Sequence, residues 1–170
     1  MKKLSIVVLF LAAEFSVISQ EIKRTMSGNF SGQNIVLMPD SEHVVSVDAS
    51  KEKKGQLAVI NLQNPKEIRY VSGSYGMPGL APTPIAVTPN SKNVIVADKK
   101  ENNLIIIDIS NPNKPKKISE IKGGYWWQPI VVTSDSKYLM TVDSSTQNIM
   151  LDPLEGKIKV FDISDPKNPK

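Results

Sequence analysis

Three aspartates recur at the same place in a repeated pattern, and their spacing is the clearest chemical signal in this chain. Asp48, Asp98 and Asp143 each end a β-rich run. Three carboxylates around one axis could bind a hard cation through oxygen ligands. Each could instead accept hydrogen bonds from the turn that follows its strand. We favour this structural role, because a functional site usually breaks a repeat instead of following it.

The residues that break the repeat are aromatic. Tyr125, Trp126 and Trp127, followed by Gln128, form the densest aromatic cluster in a chain that is only 6% aromatic. Tyr75 lies in the corresponding connection one unit earlier. Exposed aromatic rings can stack on sugars, peptides or ligand rings, so these five residues are the predicted ligand-binding set. The alternative is that one or both tryptophans fill the central end of a structural unit.

Few other residues could support catalysis. The chain has no cysteine and a single histidine, His43, which excludes disulfides, covalently attached haem, iron–sulfur clusters and a zinc site built on histidines. We therefore predict no catalytic residue and no cofactor. The one local group of acids, Asp143, Asp152 and Glu155, is a candidate for a carboxylate-held metal, although we expect no metal site.

The elements that would position these side chains repeat three times. The segments that align without gaps are Ile35–Asp40, Ile85–Asn90 and Ile130–Asp135. Each unit has four strand-like runs, which we name d, a, b and c in chain order. A repeat of roughly 45 to 50 residues made of short strands is typical of β-propeller blades. We predict an all-β fold of about three blades, each with four antiparallel strands. The units cover approximately residues 20–66, 67–116 and 117–170.

The runs also predict which residues are buried and which connections vary. Run d alternates polar and apolar residues, as a half-buried outer strand does. Run a is nearly all apolar, so we expect it to be buried on both faces. The a–b turns and the proline-containing c–d links are alike in every unit, whereas the d–a and b–c connections differ.

In a propeller the two variable kinds of connection share one face, which we call the loop face. It includes the connections Ser74–Thr83, Lys99–Asn103 and Ser144–Lys157. Variable loops on a rigid scaffold are common binding sites. His43 lies beside an a–b turn, on the opposite face. A Ser–His–Asp triad on the loop face is therefore not expected.

The c runs resemble a known repeat. Leu104–Pro112 reads Leu-Ile-Ile-Ile-Asp-Ile-Ser-Asn-Pro, Val160–Pro166 reads Val-Phe-Asp-Ile-Ser-Asp-Pro, and Leu57–Pro65 is a weaker copy. These runs, with Asp108 and Asp162 as structural repeat positions, resemble the LVIVD repeat of exported bacterial and archaeal β-propellers. The resemblance to the YVTN-type propeller repeat is more distant. The resemblance to the LVIVD repeat implies a propeller fold in all three units. It implies little about activity, because propellers host binding, hydrolysis and redox chemistry alike.

The N-terminus predicts export. Two lysines precede an apolar core, Leu4–Ala13, and small residues precede a cleavage site after Ser19. We expect residues 1–19 to be a signal peptide and residues 20–170 to be the repeat domain of a bacterial protein that is periplasmic, on the cell surface or secreted. The apolar core is too short to span a bilayer, so no transmembrane span is expected after cleavage. A formal net charge of +4 is too mild to indicate a nucleic-acid partner.

Closed propellers usually have about four to eight blades, so three blades are too few to close a ring. The chain could be the N-terminal part of a longer propeller. Alternatively, two copies could join head to tail as a homodimer, each donating its first d run, Glu21–Gly28, to the other. Three functions stay open: a binding or scaffold module for a protein, peptide or glycan, a lactonase-like propeller hydrolase with a carboxylate-held metal, and an inactive truncated fragment. We favour the binding module.

Overall fold

The computed structural model describes residues 34–50, 52–53, 55–75, 83–123, 128–143 and 157–170. Within these ranges the chain forms eleven β-strands in three separate antiparallel sheets, and no helix. None of the described residues therefore belongs to a helix that could cross a membrane. The predicted signal peptide and the first d run lie outside the described residues.

The three sheets follow one another along the chain. The first sheet contains β1 (Ile35–Leu37), β2 (His43–Asp48), β3 (Gln56–Asn61) and β4 (Ile68–Val71). The second sheet contains β5 (Ile85–Val87), β6 (Asn93–Asp98), β7 (Asn103–Asp108) and β8 (Lys116–Lys122). The third sheet contains β9 (Ile130–Val132), β10 (Tyr138–Asp143) and β11 (Lys157–Asp162). Neighbouring strands in sequence are neighbours in each sheet, as in propeller blades.

The prediction of an all-β fold built from antiparallel blades is confirmed. Runs a, b and c form the first three strands of each sheet, and run d forms β4 and β8 at the outer edges of the first two. The d strand pairs with the c strand that precedes it, as β3 pairs with β4 and β7 with β8. The strand order in the first two sheets is therefore a, b, c, d along the chain. The third sheet contains strands a, b and c within the described ranges.

The a–b turns have the same geometry in all three sheets because the same side chains build them. Ser41, Ser91 and Ser136 have φ angles of 59°, 59° and 62°, in the left-handed region that is uncommon for residues other than glycine. The acidic or amide residue before each serine accepts a hydrogen bond from the backbone N–H two residues further on. This Asx-type turn fixes the a–b hairpin.

The sheets pack face to face in chain order. One apolar cluster joins the first sheet to the second, and its members include Val45, Val47, Leu57, Val59, Val94, Val96, Ile105 and Ile107. A second cluster joins the second sheet to the third, and its members include Ile95, Ala97, Leu104, Ile106, Leu139 and Ile163. Among the described sheets, the second is thus covered on both faces, whereas each terminal sheet packs against one other.

The expectation that run a is buried on both faces was wrong for the terminal sheets. Ile35 is 67% exposed and Leu37 is 56% exposed in β1, and Val131 is exposed in β9. Ile85, at the position of Ile35 one blade later, is only 9% exposed. The difference arises because Ile85 packs against the first sheet, whereas no described sheet covers the outward faces of β1 and β9.

Candidate functional site

The loop face lies at the end of each sheet where strand b ends and strand c begins. In an antiparallel a–b–c–d sheet, the d–a and b–c connections emerge at this same end. The described residues here include Asp48, Asp98, Ser74, Tyr75 and Thr83. Exposed polar or aromatic groups at this end would be available to a ligand, so the contacts of each side chain decide its role.

Asp48 is buried and serves the turn that follows β2. Its Oδ1 accepts a hydrogen bond from the backbone N–H of Ser50 at 3.0 Å, and its Oδ2 accepts one from the Tyr70 hydroxyl at 3.2 Å. Burial, together with the negative charge and hydrogen bond of Asp48, raises the pKa of Tyr70 to about 12. The Lys53 ammonium lies 4.3 Å from the centre of the Tyr70 ring, a cation–π distance.

Asp98 has the same role one blade later and also links two blades. Its Oδ1 accepts hydrogen bonds from the backbone N–H groups of Lys100 at 2.9 Å and Glu101 at 3.1 Å. Its Oδ2 accepts a longer bond, 3.4 Å, from the N–H of Ser74 in the preceding blade. The carboxylates of Asp48 and Asp98 are both buried and accept hydrogen bonds from backbone or tyrosine donors. In this structure they therefore stabilise the turns that follow their strands.

Two of the other repeated aspartates lie away from this site. Asp108 and Asp162 end strand c, on the face opposite the loop face, and each accepts a hydrogen bond from the backbone N–H two residues later, that of Ser110 and of Ser164. Asp143 ends β10, and its side chain lies outside the described part of the structure.

Tyr75 is a packing residue in this structure. We expected its ring to be available to a ligand, but it is only 2% exposed and belongs to the cluster between the first two sheets. Its hydroxyl donates to the carbonyl of Ser72 at 2.9 Å, and its N–H donates to the carbonyl of Gly55 at 2.9 Å. The ring lies against Gly73 so closely that a Cβ there would overlap it. These contacts leave Tyr75 almost no exposed surface.

Burial, followed by the nearby negative charge of Asp98, raises the pKa of Tyr75 to about 12. The phenol therefore keeps its proton at neutral pH and cannot act there as a base or nucleophile. Together with Tyr70, it supplies donors that hold neighbouring groups in place. This chemistry suits a rigid support more than a catalytic centre.

A set of hydrogen bonds closes the base of the connection between β4 and β5. The Thr83 hydroxyl donates to the carbonyl of Tyr75 at 2.5 Å, and the Asn34 amide donates to the carbonyl of Thr83 at 2.8 Å. The N–H of Lys99 donates to the carbonyl of Ser74 at 3.0 Å. These bonds fix Tyr75 and Thr83, the described residues on either side of the range 76–82, which lies outside the described part of the structure.

The sequence did not point to this closure. Thr83 and Asn34 are ordinary polar residues that lie 49 positions apart, and no local pattern pairs them. The aromatic cluster at Tyr125, Trp126 and Trp127 lies outside the described residues. Gln128 is described and is partly buried at the start of the following run.

No site for a metal is formed by the described residues, among which no three His, Cys, Asp or Glu side chains come together. Asp152 and Glu155 lie outside the described ranges. His43 lies beside the a–b turn of the first sheet, where its Nδ1 is 2.9 Å from Oδ2 of Asp40. This places the histidine on the face opposite the loop face.

The sheet order, the short inner strands and the shared loop face define a β-propeller-type blade repeat. Residues 93–125 match the LVIVD repeat family, which confirms the resemblance seen in the c run of the second unit. This match covers strands β6, β7 and β8, which lie in the second sheet. A search of curated proteins found no match to the sequence.

Several solved structures have a similar fold. A Bacteroides fragilis protein proposed to be a 6-phosphogluconolactonase aligns with a TM-score of 0.56 at 11% identity, over 82% of this chain and 36% of that chain. A Bacteroides uniformis protein proposed to have the same activity aligns at 0.54 and 16% identity, over 87% and 44%. The oligogalacturonate lyase of Vibrio parahaemolyticus aligns at 0.55 and 11% identity, over 84% and 39%. The chain spans less than half of each of these proteins, and at such identities the likeness shows the fold alone.

The raised pKa of Tyr75 leads to a prediction about alkaline stability. The folded state keeps the proton up to about pH 12, whereas the unfolded chain loses it near its ordinary value of about 10. This contribution to stability is fully present below about pH 10 and is lost as the pH rises toward 12. Tyr75→Phe should be about 1 kcal/mol less stable than the wild type at pH 8, because it loses the bond to Ser72.

The difference in unfolding free energy between the wild type and Tyr75→Phe should vanish, or change sign, by pH 12. Urea unfolding at several pH values would measure this difference. Tyr138→Phe is the matched control, since its ring is exposed. A constant gap from pH 8 to pH 12 would show that Tyr75 ionises equally in both states.

Proposed function

We propose that this protein is an exported β-propeller repeat protein that binds a protein, peptide or glycan through its loop face, without catalysis. The proposal is supported by the repeat pattern, which assigns the variable connections and the aromatic cluster to this face, and by the contacts of Tyr75 and Thr83 at the described ends of the β4–β5 connection. Variable loops on a rigid frame are a common form of binding site. Export rests on the features of residues 1–19.

The described contacts support a preorganised binding face. Tyr75 fixes the start of the β4–β5 connection, Thr83 fixes its end, and Asp98 ties it to the neighbouring turn. A loop that is held at its base loses less conformational entropy when it binds a ligand.

A non-catalytic function is supported by how the titratable groups are used. Asp48 and Asp98 accept hydrogen bonds from their own turns, and Tyr70 and Tyr75 have pKa values raised to about 12. A catalytic acid or base needs a pKa near the working pH. A hydrolase would depend instead on Asp143, Asp152 and Glu155. Stabilisation of the protein by Ca²⁺ that is lost in Asp152→Asn would favour that alternative.

Intrinsic fluorescence can test the proposed site directly, because Trp126 and Trp127 are the two tryptophans of the chain. Acrylamide should quench their emission in the free protein. A panel of soluble oligosaccharides and short unstructured peptides would serve as probes, and a bound probe should protect the indoles from quenching.

Substitution of the tryptophans should separate binding from stability. Trp126→Ala and Trp127→Ala should each weaken binding of the positive probe by at least about tenfold, as expected for aromatic hot spots, with little change in thermal midpoint. Trp126→Phe and Trp127→Phe are matched controls that keep an aromatic ring. If both alanine variants unfold and both indoles are shielded from acrylamide, the pair belongs to the core and the proposed site is wrong.

A further inference from the structure

The interface between the second and third sheets differs in chemistry from the interface between the first and second. Val96 and Ile105 lie on the face of the second sheet that packs against the first, and both are at most 1% exposed. The repeat places Thr141 and Lys159 at these positions in the third sheet, where the register also pairs them. Thr141 follows Leu139 by two residues and therefore faces the second sheet with it. A hydroxyl and a lysine thus replace an apolar contact.

The Thr141 hydroxyl is poorly satisfied at this position. The residue is 3% exposed, and its Oγ1 has no hydrogen-bond partner within the described part of the structure. Ser46 occupies the same position in the first sheet, and its hydroxyl donates to the carbonyl of Asn34 at 2.9 Å. A buried hydroxyl without a partner destabilises the closed interface, because it has lost its hydrogen bonds to water and gained none.

Burial on this face of the third sheet decreases toward the loop face. Leu139 and Ile163 lie toward the opposite face, which carries the a–b turns and c–d links and which we call the turn face. Both are at most 3% exposed. Lys159, nearer the loop face, is exposed, and Ile130 is only half-buried, whereas Ile85 at the same position in the second sheet is buried. The third sheet is therefore packed most tightly at the turn face.

Hydrogen bonds join the second and third sheets at the turn face. The N–H of Asn90 donates to Oγ of Ser136 at 3.1 Å, which links the a–b turns of the two sheets. The Ser119 hydroxyl of β8 donates to the carbonyl of Pro166, in the c–d link that follows β11, at 2.5 Å. The first and second sheets are instead linked at the loop face, through the backbone of Ser74.

We propose that the third sheet opens away from the second at the loop face and pivots on the hydrogen bonds of the turn face. Each sheet keeps its own backbone ladder during this motion, since the sheets are separate hydrogen-bonded units. Local opening of this kind follows the least stable packing in a structure.

The connection between β8 and β9 joins the two sheets, so the opening changes the separation of its described ends, Gly123 and Gln128. A ligand that binds this connection would shift the balance between the open and closed forms, because it would bind one of them more tightly. This consequence rests on the proposed function, whereas the opening itself does not.

Thiol labelling can measure this opening, because the chain has no cysteine of its own. Ala97→Cys places a thiol on the second sheet where it faces the third, and Val47→Cys places one at the same repeat position of the first sheet, facing the second. Both residues are at most 1% exposed, so a reagent reaches either thiol only after opening. Ala97→Cys should react at least about tenfold faster, as expected from one unsatisfied buried group. Ile95→Cys, nearer the turn face of the same interface, should react more slowly than Ala97→Cys.

Restoring the apolar residue should close the interface. In the Ala97→Cys background, Thr141→Val should slow labelling by about tenfold, and Thr141→Val combined with Lys159→Ile should slow it further. Val160→Thr is the matched control, because it changes an exposed residue on the other face of the same sheet and should leave the rate unchanged. Circular dichroism would establish that each variant is folded.

Three results would each overturn the proposal. The first is equal labelling of the Ala97→Cys and Val47→Cys proteins, and the second is a labelling rate that Thr141→Val does not change. The third is a rate for Ala97→Cys that rises with urea as steeply as global unfolding does, since the thiol would then be reached only through the unfolded chain.

Discussion

Replacing Tyr75 with alanine should lower the free energy of unfolding by about 3–5 kcal/mol, the range expected when a buried aromatic ring is removed and its site cannot collapse. The ring is 2% exposed and packs between the first two sheets. Its loss also removes the hydroxyl that binds the carbonyl of Ser72. Urea unfolding followed by circular dichroism would measure the change.

Tyr138→Ala provides the control, because its ring is 43% exposed and its loss should change stability by less than about 1 kcal/mol. The contact with Gly73 offers a second test. Gly73→Ala should destabilise the wild type, since the new Cβ would overlap the Tyr75 ring. In the Tyr75→Ala background the same substitution should cost little, which gives a large coupling energy in a double-mutant cycle. Additive effects would show that the ring does not lie against Gly73.

Replacing Asp98 with alanine should have the second largest effect, a loss of about 2–4 kcal/mol. The carboxylate is 7% exposed and accepts hydrogen bonds from Lys100, Glu101 and Ser74. Its removal leaves these backbone donors without that acceptor in a region with little water, at about 1–3 kcal/mol for a buried unsatisfied group. Thermal and urea unfolding would both detect a loss of this size.

Asp98→Asn separates the hydrogen bonds from the charge of this carboxylate, and Asp108→Ala tests the effect of burial. Asp98→Asn keeps an acceptor oxygen for the turn and should lose less than half as much stability as Asp98→Ala. Asp108→Ala removes the equivalent acceptor from a more exposed turn and should cost about 1 kcal/mol. Equal losses in the Asp98 and Asp108 variants would mean that burial at the loop face has no special importance.

The repeat made most of the fold predictable. Alignment of three units predicted an a, a b and a c strand in every described sheet, because buried valine and isoleucine runs and Asx-type turns are local signals. The prediction for run a failed at β1 and β9 for a non-local reason. Ile35 and Ile85 have the same local sequence pattern, and only the presence of a packed neighbour distinguishes their exposure.

The site was less predictable than the fold. An aromatic residue in a connection between strands suggests exposure, and this reasoning placed Tyr75 with the ligand-binding residues. Its burial depends on Gly73 having no side chain and on a carbonyl at Gly55, 20 positions earlier in the sequence. The role of Asp98 was within reach of the sequence, since repetition argued for a structural use. The contributions of Tyr125, Trp126 and Trp127 remain a prediction.

The order of strands in the first two sheets also has an evolutionary consequence. Each of these sheets completes its own hydrogen-bonded ladder with consecutive strands, from β1 to β4 and from β5 to β8. A gene duplication or deletion whose boundaries fall between β4 and β5 would therefore add or remove an entire blade and leave every ladder intact. A boundary between β3 and β4 would instead separate a c strand from its d partner. Changes in blade number within such a lineage should accordingly have their breakpoints in the segment that encodes residues 72–84.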